Sequence, residues 1–316
     1  MEPRGRHLAT GAGLRQRHPA LVLCAALLVG CVAVGVVGIA FLHQLRAFDA
    51  PYRPGGADPL YSQAPVPPEA GLSVPPSGHE SPAWSALTGS PLTRLRVTET
   101  TDCDLPALRG RSTSRDTLQE HLTALAGCLD RQWAPVLTEA GLTFEPVSVV
   151  VFDPHRGTGS ACGGKESAVP AVYCPSERTI YVSSSVGKHR SGTANWTELT
   201  VVSVLGHEYG HHLQSLTGVL DDADAAAAQG ADGSADMARR IESMATCLGA
   251  LSHGRLGGAQ QITQGYYARM IDPGTYRADA SHGSAATQAF WAKRGYDADG
   301  DTSRCATFSA PAEQMR

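Results

Sequence analysis

Between about Thr197 and Thr217 the chain places Leu199, Val202, Leu205, Tyr209, Leu213 and Leu216 at helical spacing, and inside this run lies His207-Glu208-Tyr209-Gly210-His211. The period predicts an amphipathic helix. Residues four apart stand one turn along the same face, so His207 and His211 present two imidazoles to one point. At about 100° per residue both project away from the apolar stripe, which makes them poor core filler. Two neutral imidazoles on a rigid element suit zinc, and Glu208 is placed to act as a general base toward a water at an open coordination position. His212 falls nearer the stripe and reads as a packed or capping residue. Asn195-Trp196-Thr197-Glu198 has the form of a capping box for this helix, and Gly218 can close it.

A catalytic zinc takes three protein ligands and keeps one position open. Glu242 is the candidate third, on a helix predicted from Ser234 to about Leu251 that can pack antiparallel to the first. Spacing alone leaves it level with a solvated helix carboxylate. Asp236, His253 and His282 are the other donors in range. The intervening stretch from Asp221 to Ala235 has no apolar face and is expected to be a mobile loop.

The rest of the chain divides by composition. Arg4, Arg6, Arg15 and Arg17 precede an uncharged run from Pro19 to Leu42. Residues 21–42 are long enough to cross a bilayer as one helix, and the arginine excess places residues 1–20 in the cytoplasm and everything after the span outside. Leu28-Val29-Gly30-Cys31 also has the form of a lipobox with Cys31 as acceptor, but the apolar run that follows is unlike the polar tether of a lipoprotein, and it is too long for a cleaved signal peptide. Residues 43–93 form the next segment, a Pro-rich extracytoplasmic linker. Ten of the chain's twenty prolines fall between Asp49 and Pro91, so this part is expected to be extended.

Residues 94–316 are enough for one globular domain. A net charge of −4 offers no basic stripe, so no nucleic-acid partner is expected. Six cysteines lie outside the membrane segment, an even number that suits disulfides in an oxidising compartment. Cys162 with Cys174 is the best single pairing because the two flank a short loop. Cys103 with Cys128 and Cys247 with Cys305 are one option for the remainder, which spacing does not decide. The order is α+β: a helix capped by Ser114 with Leu118, Leu122, Leu125 and Leu129 on one face, a strand from Val147 to Phe152, and a hairpin of Val172-Tyr173 with Thr179–Ser183 turning at Pro175 to Arg178. Helices at Ala259–Met270 and Ala285–Lys293 follow. Asp297 to Asp301 lacks the twelve-residue calcium-loop pattern and reads as a solvated turn.

Three stretches together carry a resemblance: Gly206 to Gln214, Arg240-Ile241-Glu242-Ser243-Met244-Ala245-Thr246-Cys247, and His282-Gly283-Ser284. With Cys162-Gly163-Gly164, Tyr173-Cys174-Pro175, Phe290-Trp291, Arg294-Gly295-Tyr296 and Cys305-Ala306-Thr307-Phe308, they resemble the bacterial neutral zinc metallopeptidase family over about Arg94 to Phe308. The resemblance implies a zincin-like α+β domain with an H-E-x-x-H helix and a small sheet behind one transmembrane helix. It implies Zn2+ as cofactor, with His207, His211 and Glu242 as ligands and Glu208 as base. His282 is the implied donor to the developing oxyanion, with Tyr209, Tyr266 and Tyr267 behind it. A polypeptide substrate follows, aligned by β-addition on an exposed edge of Thr179–Ser183. The chain departs from the family's E-L-Q-A-D-C at Thr246, where the pattern has an aspartate. That departure keeps open an alternative in which the domain is a catalytically impaired relative acting as a surface binding module.

Overall fold

The computed structural model describes residues 81–106, 108, 114–162, 170–186, 194–229, 234–258 and 264–316, with the backbone alone described at 194–199, 234 and 264–265. The expected basic tail, the membrane span at 21–42 and most of the linker lie outside these residues. Among the described residues no helix is long and apolar enough to cross a membrane.

The chain is already folded at Ser81, earlier than the expected start at Arg94. Helix α1 (Pro82–Thr88) opens with the Ser81 hydroxyl accepting from the Trp84 N–H and with proline in its first turn, a favoured helix start. Trp84, Leu87 and, in the following 3-10 turn, Leu92 are buried. These anchors outweigh the proline content that made the segment read as tether.

Strand β1 (Thr101–Cys103) leads to helix α2 (Arg115–Glu139), capped by Ser114 as expected. Leu118, Leu122, Leu125 and Leu129 form its buried stripe. Each such side chain stabilises the fold by roughly 1.5–3 kcal/mol through removal from water. Strands β2 (Ser148–Phe152), β3 (Ala171–Cys174) and β4 (Thr179–Ser183) make a three-stranded sheet in the order β2-β4-β3. β3 and β4 form the expected antiparallel hairpin, while β2 runs parallel to β4. Thr179–Ser183 is therefore the central strand and offers no edge. The outer edge of β2 is partly satisfied by Gln119, whose amide donates to Val149 O and accepts from Val151 N, both at 2.8 Å. The remaining edge is β3.

Helix α3 (Ala194–Leu216) carries the His207-Glu208-Tyr209-Gly210-His211 stretch. It starts before Asn195, so the expected capping box lies within the helix. Val202, Leu205, Tyr209 and Leu213 are buried as their period requires, and Gly218 ends the run in a left-handed conformation (φ 79°). Helix α4 (Val219–Ala228) takes up residues 221–228 of the stretch from Asp221 to Ala235 that was expected to be loop. Its buried Ala223 and Ala226 give it a small-residue face that packs on α1, and alanine needs no large apolar neighbour to be helical.

Helix α5 (Ser234–Gly254) returns antiparallel to α3, followed by β5 (Leu256–Gly258), which pairs parallel with β1. Helices α6 (Gln264–Met270) and α7 (Ala285–Tyr296) complete the domain, with 259–263 outside the described residues. Disulfides join Cys103 to Cys128, Cys162 to Cys174 and Cys247 to Cys305. They tie β1 to α2, a loop to β3, and α5 to the C-terminal 3-10 turns.

Candidate metal centre

The α3–α5 contact is unusually close because small residues meet along it. A Cβ at Gly210 would stand 2.4 Å from the Ala245 carbonyl oxygen, and one at Gly249 would stand 2.5 Å from Gly206. Gly206 and Gly210 lie four apart on α3, and Ala245 and Gly249 four apart on α5, so each pair shares one helix face. This brings the His207 and His211 side of α3 within one side-chain length of Glu242.

Three imidazole nitrogens converge on one carboxylate oxygen. Glu242 Oε2 lies 2.9 Å from His207 Nε2, 3.1 Å from His211 Nε2 and 3.2 Å from His282 Nε2. His207 Nε2 and His211 Nε2 are 3.2 Å apart. A tetrahedral zinc with donors about 2.05 Å away has donor–donor edges of about 3.3 Å. The separations among His207, His211 and Glu242 therefore fit a single zinc ion. A second trio is also compact: His207, Glu242 and His282 offer donor atoms within 4.8 Å of one another. The pair of helical histidines with Glu242 has all three separations between 2.9 and 3.2 Å.

The far side of each ring is held. His211 Nδ1 donates to Gln214 Oε1 at 2.8 Å, and Gln214 Nε2 donates to Ile241 O at 2.8 Å, so one glutamine fixes the His211 ring and ties α3 to α5. His207 Nδ1 lies 3.1 Å from Thr246 Oγ1. Both arrangements leave Nε2 facing the common point, the role outer partners play around metal-bound histidines. His282 sits outside regular structure. Its Nδ1 is 3.0 Å from the Asp279 carboxylate, which also accepts from the backbone N–H of His282 and Ser281. A bridge between Asp279 and Gly283, with Gly283 at φ 77°, closes this turn.

The charges follow from these contacts. Burial opposes ionisation of Glu242, but its bonds to His207, His211 and His282 outweigh burial and hold it far below the usual carboxylate range. Burial likewise works against a charged His211, yet the Glu242 contact prevails and raises it to about 9. The Glu242 bond does the same for His282 against its burial, again to about 9. Metal ligation needs neutral imidazoles, so binding displaces protons and strengthens as pH rises.

Glu208 is buried and lines the same cleft as His207, His211, Glu242 and His282. The cleft has a volume of about 680 Å3. One wall is β3, through Ala171, Val172 and Tyr173. His212 anchors that wall: its Nε2–H donates to Glu145 O at 2.9 Å, and its Nδ1 accepts from the Tyr173 hydroxyl at 3.0 Å. Burial holds its pKa down at about 4, so it is a neutral packing group, as its position on the stripe implied. Tyr209 is buried under the helix and donates to Asp130 Oδ1 at 3.0 Å, away from the cleft. Tyr267 donates to Asp297 at 3.0 Å, which leaves Tyr209 and Tyr267 without a part at the centre.

Gln214 and Asp279, with the small residues of the helix contact, carry roles that the sequence alone did not assign to them. Gly206-x-x-x-Gly210 and Ala245-x-x-x-Gly249 were the available signal for the contact, and Asp279-x-x-His282 for the turn.

An α+β domain with an H-E-x-x-H helix backed by an antiparallel glutamate-bearing helix, opening on a cleft edged by a strand, fits the zincin-like class. The chain belongs to the family described as putative neutral zinc metallopeptidase, whose profile matches residues 89–264. It is 30% identical over 242 residues to the uncharacterised protein Rv2575 of Mycobacterium tuberculosis, covering 66% of this chain and 76% of that protein. It is 23% identical over 241 residues to the uncharacterised protein YpfJ of Escherichia coli, covering 70% and 79% respectively. No solved structure matches the chain.

Proposed function

We propose that the protein is a membrane-anchored zinc metallopeptidase whose domain works outside the cytoplasm on polypeptide substrates. The observation that carries the catalytic part is the convergence of His207 Nε2, His211 Nε2 and Glu242 Oε2 at 2.9–3.2 Å beside the buried carboxyl of Glu208. The anchor rests on the apolar run at 21–42, and the three disulfides suit export.

His207, His211 and Glu242 hold the zinc. When bound, it polarises a substrate carbonyl and acidifies water. Glu208 takes the proton of the attacking water and later delivers it to the leaving amine. His282 directs Nε2–H to the carbonyl oxygen as negative charge develops there, and Asp279 holds the ring by its other nitrogen. An extended peptide lies along β3, the sheet edge that lines the cleft, with main-chain hydrogen bonds setting its direction. Thr246 supplies an uncharged partner to His207 where the family pattern has a carboxylate, and this is the feature that favours an impaired relative as the second reading.

The test pairs metal content with turnover. The purified domain is expected to hold about one zinc per chain and to cleave unfolded polypeptide, while Glu208→Gln keeps the zinc and loses hydrolysis by roughly 10²–10⁴-fold, the scale of a missing general base. Zinc bound with no cleavage in the parent would favour the binding-module reading. A parent without zinc under zinc-replete conditions would end the peptidase reading.

A further inference from the structure

The cleft continues well past the converging side chains. On α3 its lining runs upstream from His207 through Val204 and Ser203 to Thr200, and on α5 downstream from Thr246 through Gly249 and Ala250 to His253. Because the helices are antiparallel, both rows point the same way. By helix rise the trough between them extends about 10 Å from His207. Met270, in contact with Ser203, and Tyr276 also line it.

Several polar groups of this trough are engaged within its walls. Ser203 Oγ donates to Met270 Sδ at 2.9 Å, the Tyr276 hydroxyl to Met270 O at 2.8 Å, and the His253 Nε2–H to Val202 O at 2.9 Å. Burial keeps His253 neutral, its pKa held down at about 4. No Asp, Glu, Lys or Arg lines this arm of the cleft among the described residues. What it offers an incoming group is mainly methyl, thioether and ring surface with no opposite charge, which disfavours a charged side chain and rewards an apolar one. A cleft of about 680 Å3 is in the range of pockets that enclose a sizeable ligand group, far more than a metal and a water require.

We propose that this arm is the specificity pocket of the enzyme, receiving one long apolar side chain, such as leucine, methionine or phenylalanine, from the substrate residue next to the scissile bond. The proposal rests on the peptidase reading above. Val204, partly buried and lining the cleft about one helical turn from His207, is the position from which a larger side chain would fill the pocket.

The test uses binding to the zinc-loaded Glu208→Gln protein, so that turnover is not required, with acetohydroxamate and 3-phenylpropionohydroxamate as probes. The phenyl-bearing probe is expected to bind at least tenfold more tightly, and Val204→Trp, which fills the trough, to bring the two affinities together while zinc content and acetohydroxamate affinity hold. Should the tryptophan variant fail to fold, Val204→Phe gives the same comparison with a smaller intrusion. Equal affinity of the two probes for the Glu208→Gln protein would overturn the pocket and leave the metal reading standing. A persistent difference in the filled variant would likewise overturn it. Absence of zinc would remove the reading on which the pocket rests. In a peptide library the parent is expected to favour leucine, methionine or phenylalanine over aspartate and lysine by tenfold or more at one position beside the cut, and a preference for charge there would count against the pocket.

Discussion

The two sides of the cleft hold their side chains by different physics. His207, His211 and Glu242 stand on α3 and α5, two long helices locked at van der Waals distance through Gly206, Gly210, Ala245 and Gly249. The rear of α5 is fixed by the Cys247–Cys305 disulfide and by buried Arg240, which pairs with Asp236 at 2.7 Å and donates to Thr307 O and Ala310 O. His282 stands on a short turn whose shape comes from one carboxylate, Asp279, gathering the N–H groups around it. Three metal donors must keep their mutual distances to a few tenths of an ångström, which packed helices provide. A group that donates to a substrate oxygen needs direction, which a single hydrogen-bonded turn provides.

Substituting the glycines separates the two regions most sharply. Gly210→Leu forces a side chain into the Ala245 backbone, and neither helix can give way without carrying its ligands along. Overpacking of this kind costs roughly 1–3 kcal/mol or more, and the variant is expected to lose several degrees of melting temperature or to fail to fold, and in either case to lose zinc. Gly283→Ala meets the strain of a positive φ, about 1 kcal/mol, and sets a Cβ 3.0 Å from the Met315 carbonyl oxygen and 3.3 Å from the Arg239 side chain, a milder crowding than at Gly210. It should melt slightly earlier with its zinc intact. Equal loss of metal in both would mean that the helix contact has no special role.

Ligand removal comes next in size. Glu242→Ala and His211→Ala are expected to empty the site, whereas His282→Ala keeps zinc and loses roughly 10²–10³-fold in kcat, the range for a removed transition-state donor. Metal analysis of the three variants decides it. If His282→Ala also comes out empty, the turn supplies a ligand, as the compactness of His207, Glu242 and His282 allows, and the division of labour between helices and turn fails.

The regions also differ in their response to acid. His253 packs where α5 meets α3, and burial holds it neutral with a pKa of about 4 against an ordinary 6.5. Between those values the unfolded chain binds more protons than the native one. The stability that neutral His253 represents is therefore complete above about pH 6.5 and is lost as pH falls toward 4, on the order of 3 kcal/mol in all. His212 responds in the same direction. On the turn, burial of Asp279 is outweighed by its bonds to His282, and its carboxyl is held down at about 2, so it stays ionised through this window. The urea midpoint is expected to drop between pH 6.5 and 4 in the parent and to drop less in His253→Gln. An unchanged slope would show that the helix contact does not titrate.

The same contrast explains what the sequence disclosed. His207, Glu208 and His211 were legible because a helix converts spacing into direction, and the apolar stripe told which way the helix faced. Glu242 was undecided from spacing, since a carboxylate on a helix is most often solvated, and it became a candidate only through resemblance. The glycine contacts were hidden because a small residue in a helix carries no hydrophobic signal, and only its repetition at four-residue spacing on both helices announces a close crossing. Helix α4 was missed for a related reason: Ala223 and Ala226 bury too little surface each to register as a face. Trp84 and Leu87 were concealed by neighbouring prolines, although Ser81-Pro82 is a recognisable helix start. Asp279 organises its turn through backbone N–H groups, and Asp279-x-x-His282 is the faint trace this leaves in the sequence.

The smallest effect concerns Thr246, which stands where the resemblance has an aspartate. His207 Nδ1 meets the hydroxyl of Thr246 at 3.1 Å, and a hydroxyl withdraws less proton density from the ring than a carboxylate does. Thr246→Asp places a charge at that nitrogen, makes Nε2 a stronger donor to metal and is expected to tighten zinc binding by about tenfold, the lower end of what such outer partners contribute. Competition against a chelator of known affinity measures it. The aspartate must be accommodated where α5 faces the cleft, so the melting temperature of the metal-free variant separates a packing cost from the metal effect. A tenfold gain with unchanged folding would show that threonine weakens an otherwise complete site. No gain would mean that the Gln214 bond to His211 and the packed helices already fix the ligands, with the partner of His207 making little difference.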